Sequence, residues 1–173
     1  MPDSLPRATA LNELLQECFR LNRCLLEAAQ QLTDGAGVTG AQWGVLTALS
    51  QGGQPRTVAE TARRMGLARQ SVQRVADVLA DNGLVNYLPN LDDRRAKLAE
   101  VTKAGRALLA KLEKRQQVWV NGIVGDRRDA DINMAMRLVK EIRQQISRQP
   151  VKADGQSQER DRQIERVDLD RFV

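Results

Sequence analysis

Hydrophobic residues recur at helical spacing over most of this chain. From Ala8 to Leu32 they follow one another at steps of three and four, which predicts a long amphipathic first helix. The segment 34–37 contains two glycines and ends that helix. Thr39 and Gln42 lie three residues apart and predict a capping box that opens a second helix.

Two further helical patterns follow, separated by a very short turn. Thr57 and Glu60 predict a second capping box, and Gly66 is placed to end that short helix in a left-handed conformation. The next helix runs from Arg69 to Asn82. Its inward-facing stripe consists of Val72, Val75, Ala76 and Leu79. Two helices joined by so tight a turn indicate a helix-turn-helix.

A β-hairpin is predicted directly after this helix pair. Leu84 to Leu88 is a short apolar run that Pro89 stops, and Lys97 to Val101 is a comparable run. The segment 90–95 between them is mostly charged and forms the tip of the hairpin. The pattern therefore predicts a mainly α fold with a small β-hairpin wing, which is a winged helix-turn-helix.

The rest of the chain predicts two more helices and a polar tail. Thr102 can cap a helix whose apolar residues continue to Ile123, and a last helix carries apolar residues from Ile132 to Ile146. Beyond these helices the chain turns polar and mixes charges of both signs. The segment 149–173 is therefore predicted to be a flexible or weakly helical tail.

Composition excludes several classes of function. The chain has 173 residues and no histidine, which excludes histidine-dependent catalysis and argues against a metal site for zinc. It has no phosphate-binding loop and no nucleophile paired with a base, so we expect neither an enzyme nor a cofactor. No apolar stretch approaches the roughly 20 residues that cross a bilayer, and the acidic start differs from a signal peptide. The expected location is the cytoplasm.

The positive charge of the chain is concentrated in its centre. The whole chain carries a net charge of +5. The segment 54–111 holds 11 Lys/Arg against 6 Asp/Glu, so it accounts for the whole excess. A basic block that coincides with a helix-turn-helix favours a polyanionic partner, and double-stranded DNA is the one that this motif binds.

The predicted helix 69–82 carries side chains suited to reading bases. Arginine can donate twice to guanine, and glutamine can bond twice to adenine, in the major groove. Asp77 and Asp81 lie in the second half of the helix, where phosphates would repel them, so the first half is expected to enter the groove. The alternative is an ordinary solvated amphipathic helix. The candidate DNA-binding residues on this helix are Arg69, Gln70, Ser71, Gln73 and Arg74.

The hairpin tip adds a second basic element beside that helix. Arg94, Arg95 and Lys97 would lie on a narrow projection suited to phosphates or to the minor groove. The alternative is a solubilising turn of mixed charge, which the neighbouring Asp92 and Asp93 would allow. The two basic elements together indicate DNA binding more strongly than either alone.

Five short motifs accompany this order of elements, namely Gln42-Trp43-Gly44-Val45-Leu46, Arg69-Gln70-Ser71-Val72, Asn82-Gly83-Leu84-Val85, Asp92-Asp93-Arg94-Arg95 and Thr102-Lys103-Ala104-Gly105. Together with that order, they resemble the MarR family of bacterial regulators over roughly Leu11 to Ile146. The resemblance implies a winged helix domain in each subunit, a homodimer built from the first and the last two helices, and binding to pseudo-palindromic operators. It also implies that Asp93 supports the wing while Arg95 enters the minor groove.

This resemblance divides the chain into four parts. Residues 1–38 and 103–148 are expected to form the dimerisation region, residues 39–102 the DNA-binding domain, and residues 149–173 the tail. The chain departs from the family at Ala68, where a serine or threonine usually caps the recognition helix, and in the length of the tail. Losing such a cap costs about 1 kcal/mol of helix stability.

Cys18 lies in a setting that looks like the cysteine region of the organic-hydroperoxide-sensing branch of the family. A redox sensor needs a reactive and accessible thiol. The supporting tyrosines of that branch are absent, and Cys18 also falls on the apolar stripe of the first helix, so a buried structural cysteine is the preferred interpretation.

The sequence as a whole therefore predicts a sequence-specific transcription regulator, expected to be a repressor that a small-molecule effector or an oxidant releases from DNA. The alternative is an architectural protein that coats DNA with little sequence preference. A coating protein would share the basic charge but would not require base-reading residues on the recognition helix.

Overall fold

The computed structural model describes residues 6–93 and 95–149. Two predictions fall wholly or largely outside these residues, namely a DNA contact by Arg94 and the polar tail 149–173, of which only Gln149 is described. The chain divides into two compact units, the first ending at Lys114 and the second beginning at Arg115.

Nine elements make up the described chain, and most of it is helical, as predicted. The elements are α1 (Arg7–Thr33), α2 (Gly40–Ser50), β1 (Arg56–Thr57), α3 (Val58–Met65), α4 (Arg69–Asp81), β2 (Val85–Leu88), β3 (Leu98–Val101), α5 (Lys103–Val124) and α6 (Asp129–Arg148). The ends of the two wing strands and of the recognition helix, α4, lie within a residue or two of those predicted from the sequence.

The wing is part of a three-stranded antiparallel sheet in the order β1-β3-β2. Strands β2 and β3 form the predicted hairpin, in which Val85 pairs with Val101. Strand β1 was not predicted, and it adds to the other edge of β3, where Arg56 pairs with Ala99. The sheet therefore joins the loop after α2 to the wing.

Caps fix where α2 and α3 begin. At α2 both bonds of the predicted capping box are present, since the Thr39 hydroxyl accepts from the Gln42 amide and the Gln42 side chain accepts from the Thr39 amide. At α3 the Thr57 hydroxyl accepts from the Glu60 amide at 3.2 Å, which is one half of the predicted box. Thr57 itself belongs to β1, so its backbone also takes part in the sheet.

The core of the first unit lies beneath the recognition helix. Val72, Ala76 and Leu79 of α4 are buried, and Val75 is half-buried, which confirms the predicted inward stripe. Leu46 of α2 packs in the same cluster, and so do Val85 of β2 and Leu112 of α5. This packing fixes the rotation of α4 and hence the set of its side chains that faces outward.

The terminal helices leave much apolar surface uncovered within one chain. In the first unit, α1 buries only Thr33, and its exposed apolar residues are Leu11, Phe19, Leu21, Leu25 and Leu26. In the second unit, no residue of the fully described helix α6 is buried. Its exposed apolar residues are Ile132, Met134, Met136, Leu138, Val139 and Ile146. Patches of this extent are typical of protein interfaces.

Candidate nucleic-acid interface

A tight turn sets the angle between α3 and α4. Gly66 ends α3 with φ 70° and ψ 28°, which is the predicted left-handed conformation. The amide of Leu67 donates to the carbonyl of Ala62 at 3.0 Å, and the amide of Gly66 donates to the carbonyl of Arg63. These two bonds form a Schellman motif, which closes α3 and leaves two residues before α4 begins.

The outward face of α4 carries the predicted base-reading residues. Arg69, Gln70 and Arg74 are exposed, whereas Ser71 and Gln73 are half-buried. Arg69 to Arg74 fall in the first half of the helix, while Asp77 follows in the second half. The structure thus places the cationic side chains of α4 in its amino-terminal half.

Ala68 occupies the N-cap position of α4. It has extended φ and ψ of −63° and 136°, and its methyl group makes no capping hydrogen bond. The departure identified in the sequence is therefore present in the structure. The first amides of the recognition helix lack the side-chain acceptor that a serine or threonine would supply.

Three polar side chains join α4 to the first strand of the wing. The Gln73 amide nitrogen donates to the Tyr87 hydroxyl at 2.9 Å and to Asp77 Oδ1 at 2.8 Å. The Tyr87 hydroxyl in turn donates to Asp77 Oδ1 at 2.7 Å. We call these three residues the Gln-Asp-Tyr triangle. The pattern of the sequence did not reveal it, because Tyr87 lies 14 residues from Gln73 and on a different element.

Burial and the carboxylate keep the tyrosine protonated. Partial burial raises the pKa of the Tyr87 hydroxyl well above its ordinary value, and the hydrogen bond to Asp77 raises this pKa further. Its proton therefore remains available to Asp77 at neutral pH. The ammonium group of Lys97 lies 6.0 Å from the centre of the Tyr87 ring, at the outer limit of a cation–π contact, so this candidate residue lies beside the tyrosine that bonds to α4.

The wing tip is closed by short-range hydrogen bonds. Asp93 Oδ1 accepts from the amide of Arg95 at 2.9 Å, and the Asp93 carbonyl accepts from the amide of Ala96 at 3.1 Å. Asn90 Oδ1 accepts from the amide of Asp92. The Arg95 side chain is exposed, as is that of Lys97. Asp93 thus bonds to the backbone that carries Arg95.

Both strands of the hairpin are bonded at the base of the wing by one residue, Thr102. Its amide donates to the carbonyl of Leu84 at 3.0 Å, and its hydroxyl donates to the carbonyl of Gly83 at 2.8 Å. The same hydroxyl accepts from the amide of Gly105 at 3.0 Å and so caps α5, as predicted. The end of α4, the base of the wing and the start of α5 therefore meet at a single side chain.

Strand β1 contributes a buried arginine that was not predicted. Arg56 is only 9% exposed, and its side chain donates to the carbonyl of Gln51 at the end of α2. Within the part of the chain that the structure describes, its Nη1 atom is buried and has no hydrogen-bond partner. A positive charge close to a helix carboxyl terminus interacts favourably with the helix dipole.

The two cysteines differ in exposure. Cys18 is half-buried on α1, and Cys24 is exposed on the same helix. Cys18 is therefore less enclosed in the single chain than the preferred interpretation of a buried structural cysteine expects, and the redox hypothesis remains untested.

Three features define a winged helix-turn-helix protein of the DNA-binding class. They are a helix pair with a tight turn, an exposed basic start to the second helix, and an adjoining β-wing. A family model described as MarR family matches residues 36–96, which span α2 to the wing tip. An uncharacterized protein of Mycobacterium tuberculosis is 34% identical over 124 residues, covering 72% of this chain and 85% of its own. The chain belongs to the MarR family of transcription regulators.

Further relatives agree with this assignment. The transcriptional activatory protein BadR of Rhodopseudomonas palustris is 26% identical over 145 residues, covering 80% of this chain and 83% of its own. The crystal structure of CouR from Rhodococcus jostii, bound to p-coumaroyl-CoA, has a TM-score of 0.67 at 22% identity and covers 80% of this chain and 95% of that one. The likeness to CouR shows a shared fold.

Within residues 6–93 and 95–149, no helix combines the length and the apolar character needed to span a membrane.

Proposed function

We propose that this chain is a sequence-specific regulator that binds duplex DNA as a homodimer, with α4 in the major groove. The observation that carries this proposal is the position of Arg69, Gln70 and Arg74, which lie together on the exposed first half of α4. The buried stripe on the opposite side of α4 holds them outward. Side chains that can each make two hydrogen bonds to one base are suited to reading sequence.

The wing supplies contacts that do not depend on sequence. Arg95 is exposed at a tip whose backbone is held by Asp93, and Lys97 is exposed where the wing meets α4. A projection of this shape fits the minor groove or the phosphates next to the helix. Arg94 is assigned to the same role from its place in the sequence alone.

The exposed apolar residues of α1 and α6 support dimerisation through the two terminal regions. Phe19 is 77% exposed in the single chain, which is unusual for a large aromatic side chain on an amphipathic helix. A two-fold symmetric dimer would bury such surface and would match the two halves of a pseudo-palindromic operator. Light scattering at micromolar concentration should give the mass of a dimer, and the mass of a monomer would contradict this part of the proposal.

Regulation is expected to be repression that a small ligand or an oxidant relieves. The complex of CouR with p-coumaroyl-CoA supports a ligand-responsive fold. BadR, however, is named an activatory protein, so the sign of regulation needs its own test. A reporter gene is placed behind a DNA site that the protein selects from a random duplex library. Its expression should fall when the protein is present, and increased expression would make the protein an activator.

The decisive experiment compares specific with random DNA. Binding sites are first selected from a random duplex library, and the affinities of Gln70→Ala and Arg74→Ala are then measured at one salt concentration. Each variant should lose about 1 to 3 kcal/mol of binding free energy on the selected site, the usual worth of a bidentate base contact, and much less on random DNA. Lys111→Ala is the matched control for Arg74→Ala, because it also removes one positive charge, from an exposed position of α5.

Equal losses on both DNAs by a correctly folded variant would favour the alternative function, an architectural protein that coats DNA. A coating protein gains its affinity from phosphate neutralisation, so removal of Arg74 would weaken its binding to every sequence alike. Thermal unfolding serves as the folding control. Gln70 and Arg74 are exposed, so their removal should change the stability of the fold little.

A further inference from the structure

The Gln-Asp-Tyr triangle fixes which end of the Gln73 amide faces the protein. Asp77 Oδ1 is a carboxylate oxygen and can only accept hydrogen bonds, so the group 2.8 Å away on Gln73 must be the amide nitrogen. Turning the amide over would place its carbonyl oxygen against that carboxylate. The orientation of the Gln73 side chain therefore follows from the charge of Asp77.

The triangle also uses all the donors of the Gln73 amide. An amide nitrogen carries two hydrogens, and the two partners at 2.8 and 2.9 Å, Asp77 and Tyr87, take one each. The hydrogen-bonding capacity that remains on Gln73 is its carbonyl oxygen. A bidentate contact with adenine needs a free donor as well as an acceptor, so the triangle prevents the contact that a free glutamine would make.

We propose that Gln73 acts in DNA recognition as a fixed hydrogen-bond acceptor, oriented by Asp77 and Tyr87, and that it selects an amino-bearing base. This inference rests on the proposed function. Cytosine and adenine present an amino group in the major groove, whereas guanine and thymine present carbonyl oxygens there. A fixed acceptor attracts the first two and repels the last two.

Gln73 and Asp77 lie one helical turn apart on the same face of α4. Gln73 belongs to the first half of the helix, with Arg69 and Arg74, whereas Asp77 lies in the second half and acts by orienting Gln73. The acceptor on Gln73 therefore contrasts with the donors that Arg69 and Arg74 offer in the same half of the helix.

The test measures base preference, because overall affinity would also respond to the change of charge. Sites are selected from a random duplex library with the wild-type protein, and every base pair of the selected site is then varied in turn. The pair whose preference Gln73→Ala abolishes is the one that Gln73 reads. On the strand that faces Gln73, the wild-type protein should prefer cytosine or adenine roughly fivefold, the order expected of one hydrogen bond.

Asp77→Asn removes the charge that fixes the amide and should reduce this preference at that one pair. The introduced amide can face Gln73 with either end, so Gln73 can turn over and admit guanine or thymine. Asp81→Asn is the matched control, because it removes the same charge from an exposed position one turn later on the same helix. It should raise affinity for all sequences while it leaves the preference unchanged.

The outcomes separate this inference from the proposed function. A preference of the wild-type protein for guanine or thymine at the Gln73-dependent pair would overturn it. So would a Gln73→Ala variant that folds, selects the same site and changes no base preference, since Gln73 would then have only a structural role. A protein that enriches no sequence from the library would instead refute the proposed function itself, and this inference with it.

Discussion

Gly105 is the position where a single methyl group should disturb the DNA-binding unit most. It lies in the first turn of α5, below the base of the wing. A Cβ added there would lie closer to the carbonyl oxygen of Leu84 than real Cβ atoms lie to any neighbour, and 2.8 Å from Val101 Cγ1. The Leu84 carbonyl is backbone and already accepts from Thr102, so it cannot rotate away as a flexible side chain would.

The cost of Gly105→Ala follows from these distances. Ordinary contact begins near 3.4 Å, so Val101 must give way by about 0.6 Å (3.4 minus 2.8) and the Leu84 carbonyl by more. Overpacking of this kind costs about 1 to 3 kcal/mol, and loss of the Thr102 cap costs about 1 kcal/mol more. The higher helix propensity of alanine returns about 1 kcal/mol. The net expectation is a loss of about 1 to 3 kcal/mol in the free energy of unfolding.

Gly44→Ala is the matched control for this prediction. Gly44 is also a helical glycine, and nothing lies within 4 Å of the Cβ that would be added to it. This variant should be as stable as the wild-type protein or more stable, by up to about 1 kcal/mol. The two variants share the same chemical change and differ only in the space that receives the methyl group.

Thermal unfolding at one fixed protein concentration compares the two variants. For a chain of this length, 1 kcal/mol corresponds to roughly 2 to 4 °C, so Gly105→Ala should melt several degrees below the wild-type protein. The concentration must be held constant because dimerisation would make the midpoint depend on it. If Gly105→Ala melts at or above the wild-type temperature, the close packing of α5 against the base of the wing is wrong.

Three further changes test the recognition helix and the wing. Ala68→Ser should stabilise the fold by about 1 kcal/mol in thermal unfolding, because it supplies the missing cap of α4; a lower melting temperature would argue against that geometry. Arg95→Ala should weaken binding to all DNA by similar factors and reduce the salt slope by about one, whereas a loss confined to one base position would refute the wing contact. Asp93→Ala should lower affinity although it removes a negative charge, since the amide of Arg95 loses its acceptor. Asp92→Ala removes the same charge without that bond and should not lower affinity.

Local patterns in the sequence were sufficient to predict most of the helices and the wing. The Thr39–Gln42 box and the left-handed Gly66 depend on residues three or four positions apart, so their signals are complete within one turn of chain. The stripe of Val72, Ala76 and Leu79 repeats every three or four residues, so the sequence alone predicted which side of α4 is buried.

Features that depend on tertiary contacts could not be predicted in this way. Strand β1 has two residues, Arg56 and Thr57, which are too few to show the alternation of a strand. The Gln-Asp-Tyr triangle forms only because α4 and β2 lie next to each other in the fold, so the sequence around Gln73 or around Tyr87 does not predict it. The close approach at Gly105 depends on the position of Leu84, 21 residues earlier in the chain.

The bonds of Thr102 give the wing the mechanics of a beam that is clamped at one end. Both strands are held at their base, where Thr102 bonds to Gly83 and Leu84, and β1 supports the outer edge of β3. Such a beam keeps its angle at the clamp and is displaced most at its free end. In the proposed complex, the tip would therefore adjust to grooves of different width while the root of the wing stays in register with the recognition helix.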